Sequence, residues 1–495
     1  MTLDIRCSLA PVALVVCAAI PGTSPASAQS TRMSAAEARM VLDRPVPSEE
    51  QVAARDDLAK RRAAAAISLL RLAQPEPVWP LLRHVADPSA RSYFIRDVGR
   101  SGIGVELLVR RLSAEPDVSA RRAIILALGE FDSAAVPIAL RQRLVPLLLS
   151  LYRNDPDPGV HSAIEWLLGH AKQGRADRRV DWGQADALAR IDRELAGQPR
   201  AQRRWYVTKE GHTLATIDAP AEFTMGAPPH ETYRPKGPEE AQHRMRIPRS
   251  FAIATKEVTV AQFQRFLEAN PEVHRGAQRD AGRDPSRGSR VLRKASPDDE
   301  SPQVSMTWFE AAQYCNWLSR LEGIPASEWA YPPIDQIREG MVLPERYLHR
   351  TGYRLPTSAE WEYAARAGAT TSWFFGASEE LLRDHAWYAG NAFGERAWPV
   401  GQLKPNDLGL FDVHGNVWEW IGDMWKPYPS DPTPAVRIDD EDSVRVVSAQ
   451  YKRPRRGASY AYEAPFLRAA HRGSYIPDER RDNVGFRVVR TIAER

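Results

Sequence analysis

The chain has 495 residues, 43% hydrophobic and 26% charged, with 67 Lys and Arg against 63 Asp and Glu. That length exceeds one compact domain and fits two to four folding units. A net charge of +4 is too weak to make nucleic acid or an anionic membrane the target, and three Cys, two of them in the first twenty residues, exclude a disulfide scaffold. Nine of the 67 basic residues are Lys and the rest Arg, whose planar fork favours fixed ion pairs.

Residues 1–28 read as a secretory signal. Arg6 supplies a basic start, Leu9 to Ile20 an apolar run, and Ala26-Ser27-Ala28 a cleavage site. The run is too short to span a bilayer comfortably, and no later segment reaches membrane-helix length. The expected location is secreted or periplasmic, and Cys315 is then the only thiol of the mature chain.

Residues 29–57 are polar and without a clear period, which suggests a linker. From Leu58 to about residue 200 the pattern is helical, with Leu69, Leu70, Leu72, Leu81, Leu82 and Val85 on the apolar face of short helices. A phrase recurs at intervals of 30 and 40 residues: Asp87-Pro88-Ser89-Ala90-Arg91, Asp117-Val118-Ser119-Ala120-Arg121 and Asp157-Pro158-Gly159-Val160-His161. Each follows one apolar helix and opens another, with Asp as the cap. This resembles HEAT-type repeats, an α-solenoid of stacked helix pairs. Two roles stay open for it, holding a partner protein or acting as a spacer.

Near residue 205 aromatic residues become dense. Trp205 to Val207, His212 to Ile217, Phe223 to Gly226 and Arg244 to Ile247 have the character of short strands. Three helices then begin on capping boxes, Thr259 with Gln262, Thr307 with Glu310, and Thr357 with Glu360. The second buries Trp308, Ala311, Ala312, Cys315 and Leu318 and stops at Gly323; the third turns Trp361, Ala364 and Ala365 inward and stops at Gly368. Residues 271–303, charged and Arg-rich, read as a surface loop.

Six phrases in this half are more specific than any period. They are Phe223 to Gly226 with Phe251 to Thr259, Pro302 to Leu318, Tyr353 to Ala364, Asn406 to Trp420 (NDLGLFDVHGNVWEW), Gly457 to Tyr460, and Asn483 to Arg487. On these phrases the domain of residues 205–495 is similar, over about residues 211 to 492, to the formylglycine-generating enzyme family, also called sulfatase-modifying factor. The resemblance implies a C-type-lectin-like fold with irregular sheets and few helices. The fold class is therefore α+β, a helical solenoid followed by this domain.

Members that oxidise a sulfatase cysteine hold copper(I) on two thiolates just beyond the Gly-Gly-Ser phrase, soft ligands for a soft ion. Here Gly457 to Arg468 contains no Cys, and Tyr462 stands where the first would be. No copper is expected. Other relatives place iron on a His-x-x-x-His-x-Glu run that this chain lacks; its dispersed His include His161, His170, His243, His349, His385, His414 and His471. The resemblance also implies a structural calcium held by Asp412, the carbonyls of Gly415 and Val417, and Glu419, against the alternative that the two acids pair with Arg. Trp418 and Ser459 map to the oxygen-binding pocket of active members. With Tyr460, Tyr462, Arg468 and Arg472 they are the candidates for a residual cleft; the alternatives are Trp as core and the Arg cluster as internal scaffold.

The sequence thus points to an exported binding or scaffolding module, a pseudoenzyme, with its ligand, protein or small molecule, unidentified. The alternative is an oxidoreductase of the same family that uses another metal on a peptide or sulfur-containing substrate.

Overall fold

A computed structural model describes residues 33–169, 180–231, 233–235, 237–273, 294–428 and 435–493. The expected signal, residues 1–28, lies outside them. The described chain begins with helix α1 (Ala35–Leu42), inside the stretch expected to be a linker. The correction has a local cause, for Ser34 and Glu37 form a complete capping box and Ala38 is buried against the next helix. That helix, α2 (Val52–Arg71), also starts within the supposed linker.

Six further helices follow: α3 (Ser89–Val98), α4 (Val105–Ala114), α5 (Val118–Leu128), α6 (Ile138–Asn154), α7 (Pro158–Gly169) and α8 (Ala185–Leu195). The recurring phrase opens α3, α5 and α7. Asp117 caps α5 through the amides of Ser119 and Ala120, and Asp157 accepts from the Val160 amide of α7 at 2.8 Å. These three helices pack in a row, α3 on α5 and α5 on α7, while α4 and α6 lie against α5 and α7. Their burial explains the arrangement. In α6 only Leu140, Leu144, Leu148 and Tyr152 are buried, a single stripe at four-residue spacing. In α5 every residue from Ala123 to Leu128 is buried, so it is covered on all sides. Leu72 and Val85, expected on the apolar face, are 47% and 51% exposed; both lie just outside helices, where helical periodicity does not apply.

What covers the row is the second half of the chain. Its main sheet has five antiparallel strands in the order β1 (Trp205–Val207), β2 (Thr213–Ile217), β5 (Phe251–Ala254), β14 (Val489–Thr491) and β7 (Tyr353–Arg354). Beside it β3 (Ala221–Met225) and β4 (His243–Ile247) pair, with β9 (Arg437–Ile438) parallel to β4. The third sheet runs β12 (Gly473–Tyr475), β11 (Arg453–Arg456), β8 (Trp418–Trp420), β13 (Val484–Gly485); β6 (Met341–Val342) and β10 (Val446–Val447) form a separate ribbon. All three anticipated capping boxes are present, opening helices α9 (Val260–Ala269), α10 (Trp308–Leu321) and α11 (Ser358–Arg366). The expected loop 271–303 is corrected at its end. Residues 274–293 lie outside the described chain, but Ala295, Ser296 and Ser301 are buried, and Ser301 accepts from the Val260 amide.

One contiguous apolar core runs through both halves. At their junction Asp407 is clamped by the row of helices, with its Oδ2 on His84 Nδ1 at 2.5 Å and on Arg91 Nη2 at 2.7 Å, and with Arg122 beside Oδ1. Lys404 reaches Glu130 at 2.6 Å, and Lys256 pairs with Glu165. Backbones meet here: a Cβ on Gly159 would sit 2.4 Å from the Asp407 carbonyl, and one on Gly409 2.6 Å from the Pro158 carbonyl. Glycine is required at both for that approach.

Candidate functional site

The third sheet assembles the residues singled out from sequence. Strands β8 and β11 are antiparallel with Glu419 opposite Arg456. Directly after β11, Gly457 and Ala458 both take positive φ, +90° and +60°, and the chain turns into Ser459. Ser459 is fully buried; its Oγ accepts from Asn483 Nδ2 at 3.3 Å. Trp418 is 1% exposed. The Arg455 guanidinium lies 4.0 Å over its ring, and Tyr462 meets it edge-on at 5.4 Å. Tyr462 in turn rests on Phe466. The position that would present a thiolate therefore carries a phenol ring packed into an aromatic–guanidinium stack, with no soft donor beside it.

The other cleft candidates are dispersed. Tyr460 belongs to a small cluster with Val304, Trp387 and Val417, donates to the Asp482 carbonyl at 3.3 Å, and has its hydroxyl pushed up to about 12 by burial. Arg468 is spent on Glu231 at 2.6 Å and Glu240 at 2.7 Å. Arg472 stacks on Tyr428 at 3.8 Å and donates to the Glu239 and Lys426 carbonyls. Of the six, only Arg468 lines the cavity of about 500 Å3 that lies where the helical region meets the second half, together with Ser89 and Trp373. With Arg453 and Arg456 fully buried as well, the C-terminal Arg cluster is internal scaffold.

The residues proposed for calcium surround a buried acidic group. Asp412 takes φ +58°; its Oδ2 accepts from the Gly401 amide at 2.7 Å, while Oδ1 is buried without a partner. Burial pushes its carboxyl up to about 6. Beside it stands Glu257, which the sequence reading did not single out, although it lies within the matching phrase Phe251 to Thr259. It accepts from Asn416 Nδ2 at 2.7 Å and from the Val417 amide at 3.3 Å. Its carboxyl is raised well above the usual range by burial and by the charges of Asp412 and Glu419. Glu419 faces Arg487 with both oxygens and also accepts from Trp361 Nε1 at 2.9 Å. It is therefore not free for an ion in this arrangement, and the set Asp412, Gly415, Val417, Glu419 does not fit calcium as a unit. Asp412 Oδ1 is left as a single unpartnered oxygen, where a hard cation takes several.

The described histidines form no cluster of metal-holding size. His161 is stacked between Tyr152 and Trp205, with ring centroids 4.0 and 3.7 Å away, and burial pushes it down to about 4. His385 and His414 are interleaved with Phe374 and Phe375 and pushed down to about 3, burial again leading. His243 bonds the Ala241 carbonyl, His349 ends a single 3-10 turn, and His471 bonds Glu240; His170 lies outside the described residues. Among the described residues no three His, Cys, Asp or Glu side chains are grouped to hold a metal ion. Cys315 is fully buried, and its thiol is pushed up by burial.

Irregular sheets around a Gly-turn-Ser corner, sealed by buried Arg–carboxylate pairs, define a domain of the sulfatase-modifying class. Residues 210–492 match the family described as the sulfatase-modifying factor enzyme 1-like domain, and the chain belongs to that family. It is similar to a formylglycine-generating enzyme of Streptomyces coelicolor, 31% identical over 54% of this chain and 85% of that protein. The chaperone protein LppX of Paenibacillus barcinonensis is 30% identical over 38% of this chain and 67% of its own length. An inactive Cα-formylglycine-generating enzyme 2 of Mus musculus is 31% identical over 33% of this chain and 55% of its own. The solved structure of PvdO from Pseudomonas aeruginosa aligns with 58% of this chain and 98% of its own at 24% identity and a TM-score of 0.41.

Proposed function

We propose that this chain is a non-oxidase member of its family, a binding or scaffolding module kept for its shape. One observation carries the reading: where copper(I) would need two thiolates, Tyr462 packs on Trp418 and the segment 457–468 holds no Cys. The remaining described thiol, Cys315, is buried in the middle of α10 and protonated, so it cannot serve as a ligand without unfolding that helix. Relatives described as inactive and as a chaperone support the reading.

The rest of the reading follows the sequence. The helical region is taken as a HEAT-type array because one capping phrase opens each helix of its inner row, and it serves to hold a partner. The protein is exported, as the first 28 residues suggest, and any calcium is held at Asp412. The test is a competition titration of purified full-length protein with copper(I), coupled to an oxygen-electrode assay on a cysteine-containing sulfatase peptide. No stoichiometric copper and no oxygen uptake are expected. Conversion of the peptide thiol to an aldehyde overturns the proposal.

A further inference from the structure

The helical region carries a groove of its own, about 760 Å3, between α1, α2 and the start of α3. This volume is in the range of sites that enclose a ligand. Its lining is apolar along Leu42, Pro77, Pro80 and Leu81, and cationic at Arg39, Arg62 and Arg91. Two carboxylates also line it, Asp43 and Asp87, but Asp87 is already bound to Arg55 at 2.8 Å and to the Ser89 hydroxyl.

None of the three guanidiniums is neutralised by a carboxylate of the groove. Arg39 donates to the Gln74 amide oxygen at 2.9 Å, and Arg62 to the Arg44 carbonyl at 2.5 Å. Arg91 gives one N–H to Asp407, and its Nε and Nη1 are buried without acceptors. Arg91 is thus ion-paired with Asp407 at 2.7 Å, and the free positive charge of the groove is that of Arg39 and Arg62. The groove thus joins an apolar floor to two arginines without a carboxylate partner, Arg39 and Arg62, which outnumber the one unpaired carboxylate, Asp43. Arg forks suit carboxylates in particular, because two parallel N–H bonds match two oxygens.

We propose that this groove binds an acidic peptide segment of a partner protein. Carboxylates meet Arg39 and Arg62, and apolar side chains lie on Pro77, Pro80 and Leu81. The inference rests on reading the helical region as a partner-binding element and names the partner's chemistry. It is independent of the copper and oxygen assays, so its failure leaves the non-oxidase reading standing.

The test uses the full chain and two fluorescein-labelled hexapeptides, one alternating Glu and Leu and the other Lys and Leu, followed by anisotropy. Binding of the Glu peptide but not the Lys peptide is expected, weakening as salt screens the charges beyond about 0.1 M. The Arg39→Glu/Arg62→Glu variant should bind about tenfold more weakly or worse, with an unchanged melting temperature. Should that variant fold poorly, Arg39→Gln/Arg62→Gln serves in its place, with the same direction of change. No binding of the Glu peptide, equal binding of both peptides, or undiminished binding by the folded variant overturns the proposal. Competition by inorganic phosphate as effective as by the Glu peptide also overturns it, since the groove would then hold a small anion.

Discussion

Arg487 holds Glu419 in a two-pronged grip, Nε donating to Oε2 at 2.6 Å and Nη2 to Oε1 at 2.7 Å, with neither side chain exposed. The pair ties β8 to the chain just before β14. Removing one partner leaves the other buried and unpaired. Arg487→Ala should therefore lose about 3–5 kcal/mol, read as the shift in urea midpoint. A paired Arg487→Met/Glu419→Gln variant should be distinctly milder. Equal losses would show that the charge pairing contributes little.

The clamp on Asp407 makes a second prediction. The surrounding Arg91, His84 and Arg122 hold its carboxyl far below the usual aspartate range against the cost of burial. A lowered pKa in the fold means a contribution present above the unfolded value, near 4, and lost only in strong acid. Asp407→Ala should cost about 3–5 kcal/mol at neutral pH. It should also open the joint between the halves, so that trypsin cleaves between residues 195 and 205 faster than in the parent chain, as seen by gel.

Asp412 has the opposite sign. Its carboxyl is raised to about 6 in the fold, so its contribution is fully present below the unfolded pKa and is lost as pH rises through about 6. In chelator, Asp412→Asn should be more stable than the parent at pH 8 by on the order of 2–3 kcal/mol and indistinguishable from it at pH 4. Calcium at pH 8 should raise the melting temperature of the parent and leave the variant unchanged. A parent protein indifferent to calcium would remove that ion from the account.

Cys315 should be inert. Its thiol is buried and held protonated, and the thiolate is the reactive form. Ellman's reagent should find no thiol at Cys315 in the native protein and one after guanidinium unfolding. Rapid native labelling would contradict the packing of α10.

Much of the second half was legible because its signals are local. The three capping boxes need only residues three apart, and each was found where the spacing places it. The same signal at Ser34 and Glu37 passed unread because the surrounding residues are polar, although it opens a helix. The Asp407 clamp was not legible: its partners lie 285 to 323 residues away in sequence. Nor was the choice between ligand and scaffold for the C-terminal arginines, since the carboxylates that absorb Arg468 sit on a distant loop. The meaning of the missing sulfur pair could be read directly, because an absent residue type needs no geometry. The commitment of Glu419 to Arg487 could not.

The glycine contact between Gly159 and the Asp407 backbone has a practical consequence for anyone cutting this chain. A shortened version starting near residue 205 would keep every family phrase yet strip the lid from the 404–411 loop, taking Glu165 from Lys256 and leaving Lys404 only its longer contact to Asp384 in place of Glu130. Such a fragment is expected to be sticky and poorly behaved, and work on the domain is better done with its helical half attached.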